Sequence, residues 1–234
     1  MAPTHLLYLH GFRSSPLSFK AQRLHGWLRE HRPGLHWWCP QLPPSPREAM
    51  ALVVDGIRSW PATSSAVLGS SLGGFYATAV AEATGWRAVL MNPAVDPARD
   101  LAAYVGELSA FHNPQDRFLF RAEYLDELRA MTLPALTLPE RYFPIIAKGD
   151  ELLSWREMSA RYAGSAVRLI DGSDHALSDF EDHLPHLLKF LHLCDGRTRS
   201  ASSPARRKVL ARPPAPSSPP KAPSLSAATA APRC

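Results

Sequence analysis

Three residues whose types could make a nucleophile, an acid and a base stand at corresponding places in this 234-residue chain: Ser71, Asp150 and His175, each just past an apolar run. A serine hydroxyl is a poor nucleophile at neutral pH and needs a base within hydrogen-bond reach, with a third group to hold that base. Ser71 lies in Gly69-x-Ser71-x-Gly73, the pattern in which a serine rides a sharp strand-to-helix corner with its hydroxyl above the sheet. Glycines at −2 and +2 let the corner close without steric conflict. Ser70 is a rival, but only Ser71 has glycine at both positions. The pattern alone recurs by chance in about one chain in ten of this length. The competing reading is a small-residue turn that cradles a phosphate at a helix N-terminus. Context favours the nucleophile, because the apolar 65–68 reads as a strand and the Ala- and Leu-rich 72–83 as a helix.

His175 closes Asp171-Gly172-Ser173-Asp174-His175 after an apolar run at 166–170, and Asp150 follows the run at 143–147. His175 would take the proton of Ser71 as general base, and Asp150 would orient and stabilise the imidazole. Glu151 and Asp174 compete for the acidic role; Asp150 is preferred because it stands directly after the strand and Gly149. His10 is a rival base, expected instead to buttress the loop after the first strand. An oxyanion would be held by the N–H of Leu72, next after the nucleophile, and by the N–H of Phe12 in that loop. His183 and His186, spaced i, i+3, could be metal ligands in form but have no evident third partner. No metal and no cofactor are expected.

What must position these residues is a set of parallel strands. Runs at 6–9, 35–39, 66–68, 87–91, 143–147 and 166–170 alternate with helical spacing at 18–30, 47–60, 72–83, 155–162 and 179–193. Strands alternating with helices predict an α/β protein, a three-layer α/β/α sandwich with a mostly parallel sheet of about six strands. The order serine, acid, histidine along the chain is that of the α/β-hydrolase fold. The rhythm breaks over 94–143, which shows weak helical pieces at 101–108 and 122–131 and no convincing strand. It is expected to be a helical lid insertion over the ligand-binding edge of the sheet.

Charge divides the chain. Residues 195–234 hold eight of the 26 Lys/Arg, one acid and eight of the 23 prolines. Their composition predicts a disordered tail, and the sequence pI of 9.3 belongs to that tail. Residues 1–194 form the expected hydrolase domain and carry no basic excess, which argues against a nucleic-acid partner. Three cysteines, 39, 194 and 234, have no metal-like spacing and suit a reducing compartment. The N-terminus lacks a signal-peptide pattern and no apolar run approaches ~18 residues, so no membrane span is expected and a cytoplasmic location is. A non-catalytic hydrolase-fold module recruiting a partner through the basic tail is the alternative. It is disfavoured because such a module has no need of all three residue types.

Several separated motifs occur in the right order for one family. Tyr8-Leu9-His10-Gly11-Phe12-x-Ser14-Ser15-Pro16 with Lys20-Ala21, Gly69-Ser70-Ser71-Leu72-Gly73-Gly74, Asn92-Pro93-Ala94, Gly149-Asp150-Glu151 and Gly172-Ser173-Asp174-His175 resemble the YqiA-like esterases, small bacterial α/β-hydrolases, over about 5–193. The resemblance implies a compact hydrolase without the first two strands of the larger fold, acting on short-chain or thioester-linked acyl substrates. It also implies Ser71 as nucleophile, Asp150 as acid and His175 as base. It says nothing of the tail.

Overall fold

A computed structural model describes residues 1–111 and 113–194; the expected tail lies outside the described residues. The chain opens with β1 (His5–Leu9), α1 (Phe19–His31), β2 (His36–Trp38), α2 (Pro46–Gly56), β3 (Ser65–Ser70), α3 (Leu72–Thr84) and β4 (Arg87–Met91). Then come α4 (Pro97–Asp100), β5 (Gly106–Ser109), β6 (Arg117–Phe120) and α5 (Glu123–Ala130). It closes with β7 (Tyr142–Ala147), α6 (Trp155–Arg161), β8 (Arg168–Ile170) and α7 (Phe180–Phe190). Six strands pair in parallel in the order β2-β1-β3-β4-β7-β8.

Strand alternation sorts the side chains into two cores. Leu7 and Leu9 of β1 face one side with Val53 of α2 and Ala77 and Val80 of α3. Leu6 and Tyr8 face the other with Leu24 and Leu28 of α1 and Leu187 and Leu188 of α7. Both sheet faces are covered, which is why the central strands read as unbroken apolar runs. The helices start where local chemistry tells them to: Ser45 Oγ accepts from Glu48 N–H at 3.2 Å, with Pro46 at the first helical position, and Ser154 Oγ accepts from Glu157 N–H at 3.4 Å. Both sites have the S-x-x-E spacing of a capping box.

The chain moves from β1 to β2 in one direction and from β3 to β4, β7 and β8 in the other. Adjacent β1 and β3 therefore flank the switch point, where a crevice opens beyond their carboxyl ends. The loop after β1 and Ser71 meet there.

Two expectations need correction. Helix α2 ends at Gly56 rather than near 60: the Trp38 ring lies against Gly56, 2.1 Å from where a Cβ would stand, and Trp60 leaves the helix to stack on Trp86 at 5.7 Å. The insertion is not simply helical. Within the expected helical piece 101–108 only Ala102–Tyr104 makes a 3-10 turn, and Gly106–Ser109 is a strand. It pairs antiparallel with β6, Leu108 opposite Phe118 and Gly106 opposite Phe120. Phe120 is buried, while Leu108 and Phe118 pack beside it on the same core. This alternation is only four residues long on each side, too short to separate from helical noise.

Candidate active site

Ser71 sits between β3 and α3 with φ 55° and ψ −123°, a left-handed conformation that is strained for a non-glycine residue. The surroundings over-determine it. Ser71 N–H donates to Met91 O at 3.0 Å, and Ser71 O accepts from Gly74 and Ala94 N–H at 2.8 and 3.1 Å. The flanking glycines are required sterically: a Cβ on Gly69 would fall 2.1 Å from Gly73 O, and one on Gly73 2.0 Å from Leu9 O. Ser70 ends β3 opposite Met91 and is buried.

The structure brings the three predicted side chains into one hydrogen-bonded row. Ser71 Oγ lies 3.0 Å from His175 Nε2, and His175 Nδ1 lies 2.8 Å from Asp150 Oδ2. The Asp150 side chain is fully buried and that of His175 is 17% exposed. Asp150 Oδ1 accepts from Leu152 and Leu153 N–H, each at 2.8 Å. With that oxygen saturated, Oδ2 remains to receive Nδ1–H, which leaves Nε2 free to accept the serine proton.

The rival acids have other partners. Glu151 Oε2 accepts from the main-chain N–H of His175 at 2.9 Å, fixing that residue by its backbone rather than its ring. Asp174 closes its own turn onto Ser178, whose N–H and hydroxyl hold the Asp174 carboxyl below its usual range. His10 is buried, accepts from Leu42 N–H at Nε2 (3.1 Å) and donates from Nδ1 to Gly11 O (3.0 Å). That is the buttress expected of it, and it ties the loop after β1 to the Pro-rich 40–46 connection. His183 is buried against Arg168 and Asp179, while His186 is exposed. No group of three or more candidate metal ligands occurs among the described residues. Burial pushes the Cys39 thiol up to about 12, so it is no thiolate at neutral pH.

Beside the row lies the predicted oxyanion loop. A Cβ on Gly11 would be 3.2 Å from Ser71 Cβ and 3.7 Å from its Oγ. Leu72 is the first residue of α3, so its N–H has no acceptor within the helix. Among the described residues the Phe12 N–H has no protein acceptor. A cavity of about 560 Å³ opens directly from Phe12 and Leu72, walled by Leu42, Pro43, Leu52, Tyr76 and Phe118.

Sequence reasoning missed the residues that join this loop to the insertion. Arg13 has φ 58°. Its Nε donates to Ser109 O at 2.7 Å, its carbonyl accepts from Phe111 N–H at 2.8 Å, and its guanidinium lies 4.3 Å over the Phe111 ring. The Phe12 ring packs edge-on against Phe120 at 4.9 Å and Tyr104 at 5.8 Å. No spacing in the sequence signals these contacts, which cross about a hundred residues. Lys20 stood in the sequence motif with no role attached to it. Its Nζ donates to Ala176 O, next after His175, and burial lowers its pKa to about 8 against the opposing pull of Asp174 and Asp150.

Residues 5–192 match the uncharacterised protein family UPF0227, the YqiA-like family. The chain belongs to that family. Similar solved structures include alpha/beta hydrolase domain-containing protein 10 from mouse, 15% identical over 82% of this chain and 92% of that one, with a TM-score of 0.61. Est1E from Butyrivibrio proteoclasticus is 14% identical over 82% and 87%, with a TM-score of 0.58. The esterase domain of a Rhodothermus marinus protein is 18% identical over 78% and 82%, with a TM-score of 0.50. At such identities the likeness is one of fold, and the fold is that of the α/β hydrolases. Among the described residues no helix is long and apolar enough to cross a membrane.

Proposed function

We propose that this UPF0227 protein is a serine hydrolase that cleaves carboxylic ester or thioester bonds through an acyl-enzyme on Ser71. The observation that carries the reading is the unbroken row Ser71 Oγ, His175 Nε2 and Nδ1, Asp150 Oδ2, with its 3.0 and 2.8 Å links. In this reading Ser71 Oγ attacks the acyl carbonyl carbon while its proton passes to His175 Nε2. The carbonyl electrons move onto oxygen, which the Phe12 and Leu72 amides receive. Collapse of the tetrahedral species expels the alcohol or thiol, which takes the proton from His175. Water then attacks the acyl-serine by the same proton route and releases the acid.

The apolar cavity beside Phe12 and Leu72 is assigned to the acyl group, and the 94–143 insertion to the lid closing one side of it, since Ala110 and Phe118 lie on its wall. A structure of Est1E with bound ferulic acid gives one example of this fold accommodating a small carboxylic acid. The test is p-nitrophenyl butyrate hydrolysis together with fluorophosphonate labelling. Wild type should turn over and be labelled. Ser71→Ala should lose the label and about 10⁶-fold in kcat, and equal rates for the two would end the reading.

A further inference from the structure

The corner after β4, Met91-Asn92-Pro93-Ala94, touches the turns carrying all three residues of the row. Met91 O and Ala94 N–H hold the main chain of Ser71 on both sides. Asn92 N–H extends the β4–β7 pairing by donating to Ile145 O at 2.9 Å. Its side chain then does something the strand ladder does not require. Asn92 Oδ1 accepts from Ala147 N–H at 2.8 Å, three residues before Asp150. Asn92 Nδ2 donates to Asp174 O at 2.9 Å and to His175 O at 3.2 Å.

The amide is fully buried and its residue is held at φ 43°, a left-handed conformation that asparagine tolerates better than most side chains. One planar group with a carbonyl on one side and an NH₂ on the other is what this junction demands. Aspartate offers no donor, and a carboxylate facing two carbonyl oxygens would repel them; leucine, similar in volume, offers neither donor nor acceptor.

We propose that Asn92 is a positioning residue. Through main-chain bonds its amide fixes the turns of the proposed base and acid relative to each other and, through its neighbours in the corner, relative to Ser71. This rests on the serine-hydrolase reading. Asn92 does not line the acyl cavity, so its loss should displace His175 without altering how substrate is held. A misplacement of about 1 Å in a reacting group costs on the order of 10²-fold in rate.

The experiment uses the full chain as wild type, Asn92→Asp, Asn92→Ser and the core truncation Leu28→Ala, compared by p-nitrophenyl butyrate kinetics and by the rate of fluorophosphonate labelling at a temperature where circular dichroism shows each folded. Both Asn92 variants should lose about 10²-fold in kcat and in labelling rate, with KM changed less than about twofold, the signature of a loss felt in the transition state alone. Leu28→Ala should lower Tm and leave kcat unchanged. Asn92 variants with wild-type labelling, a kcat that merely follows the folded fraction, or failure of both to fold would each overturn the proposal. An unlabelled wild type would instead bring down the serine-hydrolase reading itself, and the role of Asn92 with it.

Discussion

Ser71, Asp150 and His175 stand on turns whose backbones are tied to a six-stranded parallel sheet, whereas one wall of the adjacent cavity hangs on the four-residue pairing of β5 with β6. The sheet edge is buried on both faces and cross-braced by main-chain bonds. The insertion meets the Ser71 side where Arg13 and Phe12 reach Ser109 and Phe120 of the hairpin and Tyr104 just before it. At its other end the insertion is pinned where Glu127 of α5 accepts from Ser45 Oγ at 2.7 Å and Arg47 N–H at 3.0 Å at the start of α2. Under the proposed function the two regions divide the labour, the sheet edge holding the reacting groups and the hairpin shaping what enters.

Perturbations of the two regions should therefore differ in kind. Asp150→Asn leaves the imidazole in the wrong tautomer and should cost about 10⁴-fold in kcat for every acyl ester tried. A chain-length-dependent loss would instead place the acid among the determinants of substrate choice. Phe118→Ala in the hairpin should change the ratio of kcat/KM between butyrate and octanoate p-nitrophenyl esters by about 10-fold, as a few methylenes of pocket contact do. Its fluorophosphonate labelling should remain near wild type, and a uniform loss would erase the distinction between regions.

Lys20 tests the edge by its titration. Its folded pKa of about 8 lies below the ordinary lysine value of 10.5, so between these pH values the unfolded chain binds more protons. The Lys20 contribution to stability should then rise with pH across that window, while Cys39, raised from 9.0 to about 12, pulls the other way above pH 9. Lys20→Met should flatten that slope in urea titrations at pH 8 and 10, and an unchanged slope would show that another group carries it. Smallest of all, Arg99→Ala removes two surface ion pairs, one with exposed Glu157 and one with half-buried Asp100. It should cost less than about 1 kcal/mol and leave both ester preferences intact.

Much of the sheet was legible because buried parallel strands are short apolar runs bounded by turns, and 87–91 was read with the bounds that β4 has. Ser71, Asp150 and His175 could be named because each ends such a run, which the topology must deliver to one edge. The hairpin was not legible, since its apolar positions Leu108, Phe118 and Phe120 alternate over stretches too short to show a period. Asn92 stood in view as part of a motif, but nothing in its spacing told that one amide would reach two carbonyls more than eighty residues away.

By itself the sequence determined the strand and helix alternation, the strained serine corner and the chemical types at three strand ends, because burial periodicity and glycine sterics act over a few residues. The sequence favoured Asp150 over Glu151 and Asp174 and a bracing role for His10; tertiary structure alone supplied the bonds that single them out, and alone decided that Arg13 and Asn92 bind distant segments. These are choices among nearby groups of like chemistry. They turn on distances and directions of hydrogen bonds that exist only once the chain has closed on itself.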